Sequence, residues 1–156
     1  MKYIGIDTGA NTGFAVWDTY TQTFERIDCL KIHVAMEAVK TVIAQNPQTQ
    51  VVVRFEDARQ RRWIPDTHDI RREMGRRQGA GSVKRDSQIW EDFLSDSRIT
   101  FEMRAPKHNA TKMNADVFKA VTKWPKRTNS HERDAAMLVF GENAINFNLK
   151  RNVLLQ

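Results

Sequence analysis

The run Val51-Val52-Val53-Arg54-Phe55-Glu56 is almost continuously β-branched or aromatic, and it constrains the fold more than any other stretch of the chain. A strand with one wet face alternates apolar and polar residues. A strand that is apolar throughout needs cover on both faces, as at the centre of an α/β sheet. The flanking segments fit that expectation. Tyr3, Ile4 and Ile6 lead into Asp7 as a first strand, 8–13 carries two glycines and an Asn as turn chemistry, 14–17 predicts a second strand and 23–32 a third. Ala35, Ala38, Val39, Val42 and Ile43 recur at helical spacing, predicting a helix over 33–45 that Asn46-Pro47 ends. Beyond the Val-rich strand, Gly75, Gly79 and Gly81 give a basic insert local freedom. Ile89, Trp90, Phe93 and Leu94 then mark a helix face, 99–103 a strand stopped by Pro106, and Val117, Phe118, Val121 and Trp124 a short helix that Asn114 is placed to cap. A last helix is expected from about Asn129 through Phe147. The sum is an α/β fold with a five-stranded mixed sheet, three antiparallel strands plus parallel ones, and helices on both faces.

At 156 residues the chain corresponds to one domain, 1–156, able to build its core without a disulfide or structural metal. Cys29 is the only cysteine, which excludes an internal disulfide and a cysteine-based zinc site and fits a reducing compartment. No apolar run approaches the roughly 18 residues that span a bilayer, and Asp7 interrupts the start where a signal peptide would continue apolar. The expectation is a soluble cytoplasmic protein with no membrane partner.

The net charge of +6 is concentrated. Between 59 and 85 nine Lys/Arg face three acids, an excess as large as that of the whole chain. Clustered cations attract polyanions, although charge runs are also common on solvated surfaces. The candidate contacts to nucleic-acid backbone here are Arg59, Arg61, Arg62, Arg71, Arg72, Arg76, Arg77, Lys84 and Arg85. Trp63 is set among them, where its plain reading is that it packs its loop onto the core. Trp90 and Trp124 lie on apolar helix faces and are expected in the core.

Acidic residues fall where an α/β sheet gathers its chemistry. Asp7 ends the first strand and Glu56 the Val-rich one, with Asp57 its competitor because strand alternation alone does not say which faces the site. His131 and Asp134, three apart at the start of the last helix, project from one helical face. Oxygen ligands from several elements suit Mg²⁺ or Mn²⁺, and two such ions about 3.5–4 Å apart can drive phosphodiester hydrolysis. Glu132 is assigned differently. It stands three residues after Asn129, the spacing of a capping box.

Ile4-Gly5-Ile6-Asp7-Thr8-Gly9 with Gly13-Phe14-Ala15, then Phe55-Glu56-Asp57, then Ser130-His131-Glu132-Arg133-Asp134-Ala135-Ala136, resemble in order the three acidic motifs of the RuvC-type Holliday junction resolvases. These belong to the ribonuclease H-like superfamily, whose element order the chain matches. The compact length and the form of the last motif resemble phage-encoded members, for which the compartment would be the host cytoplasm. The resemblance implies a metal-binding catalytic set of Asp7, Glu56, His131 and Asp134 holding two Mg²⁺ or Mn²⁺ ions. It also implies cleavage of four-way and other branched DNA to 5′-phosphate ends, and a homodimer paired through the helix around 83–94. His131 stands where many members carry Asp, and no glycine-rich stretch precedes the family's lysine. Lys112 is its nearest equivalent, with Lys107 the alternative, for contacting the phosphate at the cut. Members also carry an aromatic shortly after the second acidic motif, which implies that Trp63, if it does not pack onto the core, stacks on an unpaired base at the branch point. Other readings of the same residues are a broader branch or flap nuclease, a ribonuclease H, or a branched-DNA-binding protein without catalysis. An actin-like or sugar-kinase ATPase, suggested by Gly5-Ile6-Asp7-Thr8-Gly9, would need glycine-rich nucleotide loops that the sequence lacks.

Overall fold

The computed structural model describes the backbone of residues 1–60, 70–106 and 112–144, and the side chains of all of these except 70–80. β1 (Lys2–Asp7), β2 (Asn11–Asp18) and β3 (Thr23–Lys31) form an antiparallel meander. α1 (Ile32–Gln45) then crosses over to β4 (Val51–Glu56), which lies parallel to β1. A 3-10 turn (Ala58–Gln60) and α2 (Ile70–Asp96) lead to β5 (Phe101–Arg104), parallel to β4. The strand order is β3-β2-β1-β4-β5, so the α/β fold with its five-stranded mixed sheet is as expected. α3 (Ala115–Thr122) and α4 (Ser130–Met137) complete the described elements.

Side-chain alternation divides the interior into two layers. Ile4, Ile6, Phe14, Val16, Val53 and Phe55 pack with α1 and with Trp90 and Leu94 of α2. On the other face Tyr3, Ala15, Trp17 and Val52 meet Phe118, Trp124 and the α4 residues Ala135 and Ala136. β1 and β4 sit centrally and are covered on both sides, which is why 51–55 carries apolar residues at successive positions. Arg54 is the exception, 2% exposed. Burial opposes its charge, but bonds from its guanidinium to Glu142 (2.7 Å) and Glu102 (2.9 Å) more than compensate and raise its pKa. The Tyr3 ring lies 4.7 Å from that guanidinium, and burial foremost pushes the Tyr3 hydroxyl up to about 12.

Two boundaries differ from the sequence expectation. α2 begins at Ile70 and continues through Gly75, Gly79 and Gly81, where local freedom was expected. Each helical glycine costs about 1 kcal/mol relative to alanine. The burial of Trp90 and Leu94, each worth roughly 1.5–3 kcal/mol, holds the helix's second half onto the sheet. At the other end α4 stops at Met137 instead of running on through Phe147, whose position lies outside the described residues. Arg54 Nη1 captures the Leu138 carbonyl (2.7 Å), Trp17 Nε1 captures that of Glu142 (2.9 Å), and Gly141 takes φ +76° between them. Those acceptors would otherwise have continued the helical ladder. Both expected caps form. Asn114 accepts from Val117 N, and Asn129 and Glu132 close a reciprocal capping box. Among the described residues no helix is long and apolar enough to cross a membrane.

Candidate active site

Ile6 of β1 pairs in parallel register with Phe55 of β4, so the next residue on each strand, Asp7 and Glu56, stand at adjacent carboxyl ends. Neighbouring strands lie about 4.8 Å apart. The alternation left open by the sequence is resolved by Arg54, whose bond to the Leu138 carbonyl fixes the α4 side of β4. Glu56, two residues on, shares that side. Asp57 belongs to the opposite one and is 3% exposed. Burial alone would raise the Asp57 carboxyl; hydrogen bonds from Arg59 and Gln60 outweigh it and hold the group below its usual range.

α4 is brought in by two glycines. A Cβ at Gly5 would come 2.1 Å from the Ala135 carbonyl oxygen, and one at Gly13 would come 2.0 Å from that of His131. Helix backbone therefore lies directly on sheet backbone over a full turn, an approach no larger residue permits. It places His131 Nδ1 2.8 Å from Asp7 Oδ2. An Nδ1–H donated to the Asp7 carboxylate leaves Nε2 as the lone-pair nitrogen of the ring. Asp134, three residues on, receives Lys112 Nζ at 2.6 Å.

The electrostatics are those of carboxylates held close together. Burial raises the Asp7 carboxyl, and the neighbouring Asp134 adds to this, against the hydrogen bond from His131 and the charge of Lys112. The bond to Asp134 raises Lys112, and the fields of Asp7 and Glu56 contribute. One ammonium thus senses all three carboxylates. Among the described residues no three carboxylate, imidazole or thiol groups are gathered closely enough to hold a metal ion as they stand. The Asp7 and Asp134 oxygens are engaged by His131 and Lys112. The donor set itself suits a hard divalent cation: three carboxylates and an imidazole from three elements, with mutual repulsion that such an ion would relieve.

The remaining expected positions divide. Arg61, Arg62, Trp63 and Lys107 lie outside the described residues, as do the side chains of Arg71, Arg72, Arg76 and Arg77, whose backbone is helical. Lys84 and Arg85 are exposed on α2. Arg59 was expected to meet DNA, but its guanidinium is committed to Asp57 (2.7 Å), Glu91 (2.7 Å) and Gln88, pinning the 3-10 turn to α2. Trp90 and Trp124 are core residues, as expected. Ser87, which nothing in the sequence marks, is fully buried and joins three elements. Its hydroxyl lies 3.3 Å from that of Thr8 and 3.4 Å from the Ala58 amide, while Thr8 reaches the Glu56 carbonyl. α2 is thereby tied to both acidic strand ends. No protein-family model matches the chain, and neither does any curated protein.

Proposed function

We propose that this protein is a ribonuclease H-like, RuvC-type endodeoxyribonuclease. In this reading it cuts four-way junctions and other branched DNA by metal-dependent phosphodiester hydrolysis, leaving 5′-phosphate ends. The observation that carries the reading is that two pairs, Asp7 with His131 and Asp134 with Lys112, lie at the end of the parallel β1–β4 pair where Glu56 also stands, near enough for the Lys112 ammonium to feel all three carboxylates. The five-stranded mixed sheet is consistent with that superfamily.

Asp7, Glu56, Asp134 and His131 are the residues that would hold Mg²⁺ or Mn²⁺. When bound, two such ions supply an activated water and charge stabilisation of the leaving oxygen. The chain's own part is to position and to balance charge. Asp7 orients His131 through Nδ1, and Ser87 and Thr8 keep the strand ends in register with α2. Lys112, with its side chain 66% exposed, offers an ammonium to a phosphate arriving beside Asp134. Lys84 and Arg85 extend the cationic surface along α2. Symmetric cutting of a junction needs two such sites, which a two-fold dimer supplies. Among the described side chains of α2, Val83 and Ile89 are large apolar ones left exposed and available for that pairing, whereas Trp90 and Leu94 are buried in the core.

Side-by-side digestion of a four-way junction, Y-fork, flap, plain duplex and RNA–DNA hybrid tests the reading. Paired nicks in the junction are expected with Mg²⁺ or Mn²⁺ and none with a chelator. Preferential cutting of the flap would make it a broader branch nuclease, and cutting of only the hybrid a ribonuclease H. Binding without nicking under every condition would leave a DNA-binding protein.

A further inference from the structure

We infer that the α3–α4 connection is a second DNA-backbone surface, which holds a duplex arm on the side of the acidic site away from α2. The inference rests on the nuclease reading above and adds a surface to it.

From 117 to 131 the chain carries Lys119, Lys123, Lys126 and Arg127 and not one acid. The structure sorts this stretch by chemistry. Phe118 (1% exposed) and Trp124 (9%) go into the core. All four cations are exposed, and among the described residues none of them makes an ion pair. This differs from Lys2, Arg26, Lys40, Arg54, Arg59 and Arg104, each of which has an acidic partner. Lys119 and Lys123 stand four apart on α3 and its C-cap. Lys126, whose Nζ lies 5.8 Å from the centre of the Trp124 ring, and Arg127 follow in the loop.

The surface is fixed relative to the acidic site. Arg133, on α4 between His131 and Asp134, donates from Nε to the Met113 carbonyl (2.8 Å) and from Nη1 to that of Thr128 (2.6 Å). One side chain thus ties the entry to α3 and the end of the loop to the helix that carries two of the site residues. Such an arrangement answers an electrostatic problem. Three carboxylates repel a phosphodiester, and unneutralised cations beside them restore attraction and hold the backbone in place. Closely spaced, sequence-independent phosphates are the polyanion that four unneutralised cations on an anchored connection match best.

The test uses the full chain in Asp7→Asn form, without divalent ions, binding a labelled four-way junction across a salt series. The slope of log affinity against log salt falls by about 1 for each phosphate that the protein no longer neutralises. Changing Lys119, Lys123, Lys126 and Arg127 together to Gln is expected to lower the slope by about 2–4 and to weaken binding at least tenfold at low salt. A control set of equal charge, Lys2, Arg26, Lys40 and Arg98 to Gln, should move it far less. Equal losses from both sets, or an unchanged slope in the first, would overturn the inference while leaving the nuclease reading intact. If the Asp7→Asn parent itself fails to bind the junction, both fall. Loss of binding to anionic phospholipid vesicles with junction binding unchanged would assign the surface to lipid and refute it as a DNA-binding face. All four side chains are exposed, so folding is expected to survive. Should the quadruple change not fold, the loop pair Lys126→Gln and Arg127→Gln carries the same test, with an expected slope change of about 1–2.

Discussion

Asp7→Asn is expected to bind a four-way junction and to cut it at least about a thousandfold more slowly than the parent in Mg²⁺, since several kcal/mol of charge stabilisation are lost and each 1.36 kcal/mol is tenfold in rate. The amide keeps the carboxylate's shape and an oxygen that accepts from His131 Nδ1, so the geometry at 2.8 Å is preserved. What disappears is a negative charge that a cation needs and a phosphate avoids. Binding should therefore hold or tighten while cleavage collapses. A junction cut at the native rate by this variant would remove Asp7 from the chemistry.

The same substitution has a signature in stability. Burial holds the Asp7 carboxyl above its ordinary range, so the folded chain binds that proton more tightly than the unfolded chain does. Ionised Asp7 consequently works against folding, and its penalty grows as pH rises through the raised pKa. Asparagine has no such penalty. The variant is expected to melt higher than the parent at pH 7, with the gap closing as pH falls below the usual carboxylate range. Calorimetry at the two pH values checks this, and a variant that melts lower at pH 7 contradicts it.

Gly13→Ala is the second large effect. Its new methyl would need to sit 2.0 Å from the His131 carbonyl oxygen and 3.1 Å from the Ala135 Cβ. Neither obstacle is the far end of a flexible side chain. Overpacking of this kind costs about 3 kcal/mol, or roughly 6–12 °C of melting temperature in a domain this size. α4 would have to lift, and His131 and Asp134 would leave Asp7 with it, so cleavage should fall along with stability. Gly5→Ala meets the Ala135 carbonyl at 2.1 Å and should behave alike. Gly81→Ala is the matched control. It lies exposed on α2 with nothing within 4 Å of an added Cβ, and is expected to stabilise by up to about 1 kcal/mol.

Those glycines show where the sequence could be read and where it could not. The apolar runs at 51–53 in β4 and 3–6 in β1 expose their burial directly, because residue type carries that information. The caps at Asn114 and Asn129 are equally legible, since the interaction is local. Gly13 reads as turn chemistry, yet it is a residue of β2, and its purpose is the close approach of a helix 118 positions away. The choice of Glu56 over Asp57 likewise depends on which face α4 covers, a tertiary fact. Arg59 looks like any other cation of its cluster until Asp57 and Glu91 are seen to enclose it. The end of α4 at Met137 is set by the reach of Arg54 and Trp17 from distant strands, against a local pattern that favours a longer helix.

The seat of α4 on the sheet also separates two properties that usually change together. Where aliphatic side chains space a helix from a sheet, every volume change in them shifts whatever the helix carries. Here the spacing is set by main-chain atoms, whose dimensions are constant. Conservative exchanges at Val52 or Val139, both fully buried on this face, should therefore change how much heat the molecule withstands while leaving the approach of His131 to Asp7 nearly constant, so robustness and site geometry can vary independently in this protein.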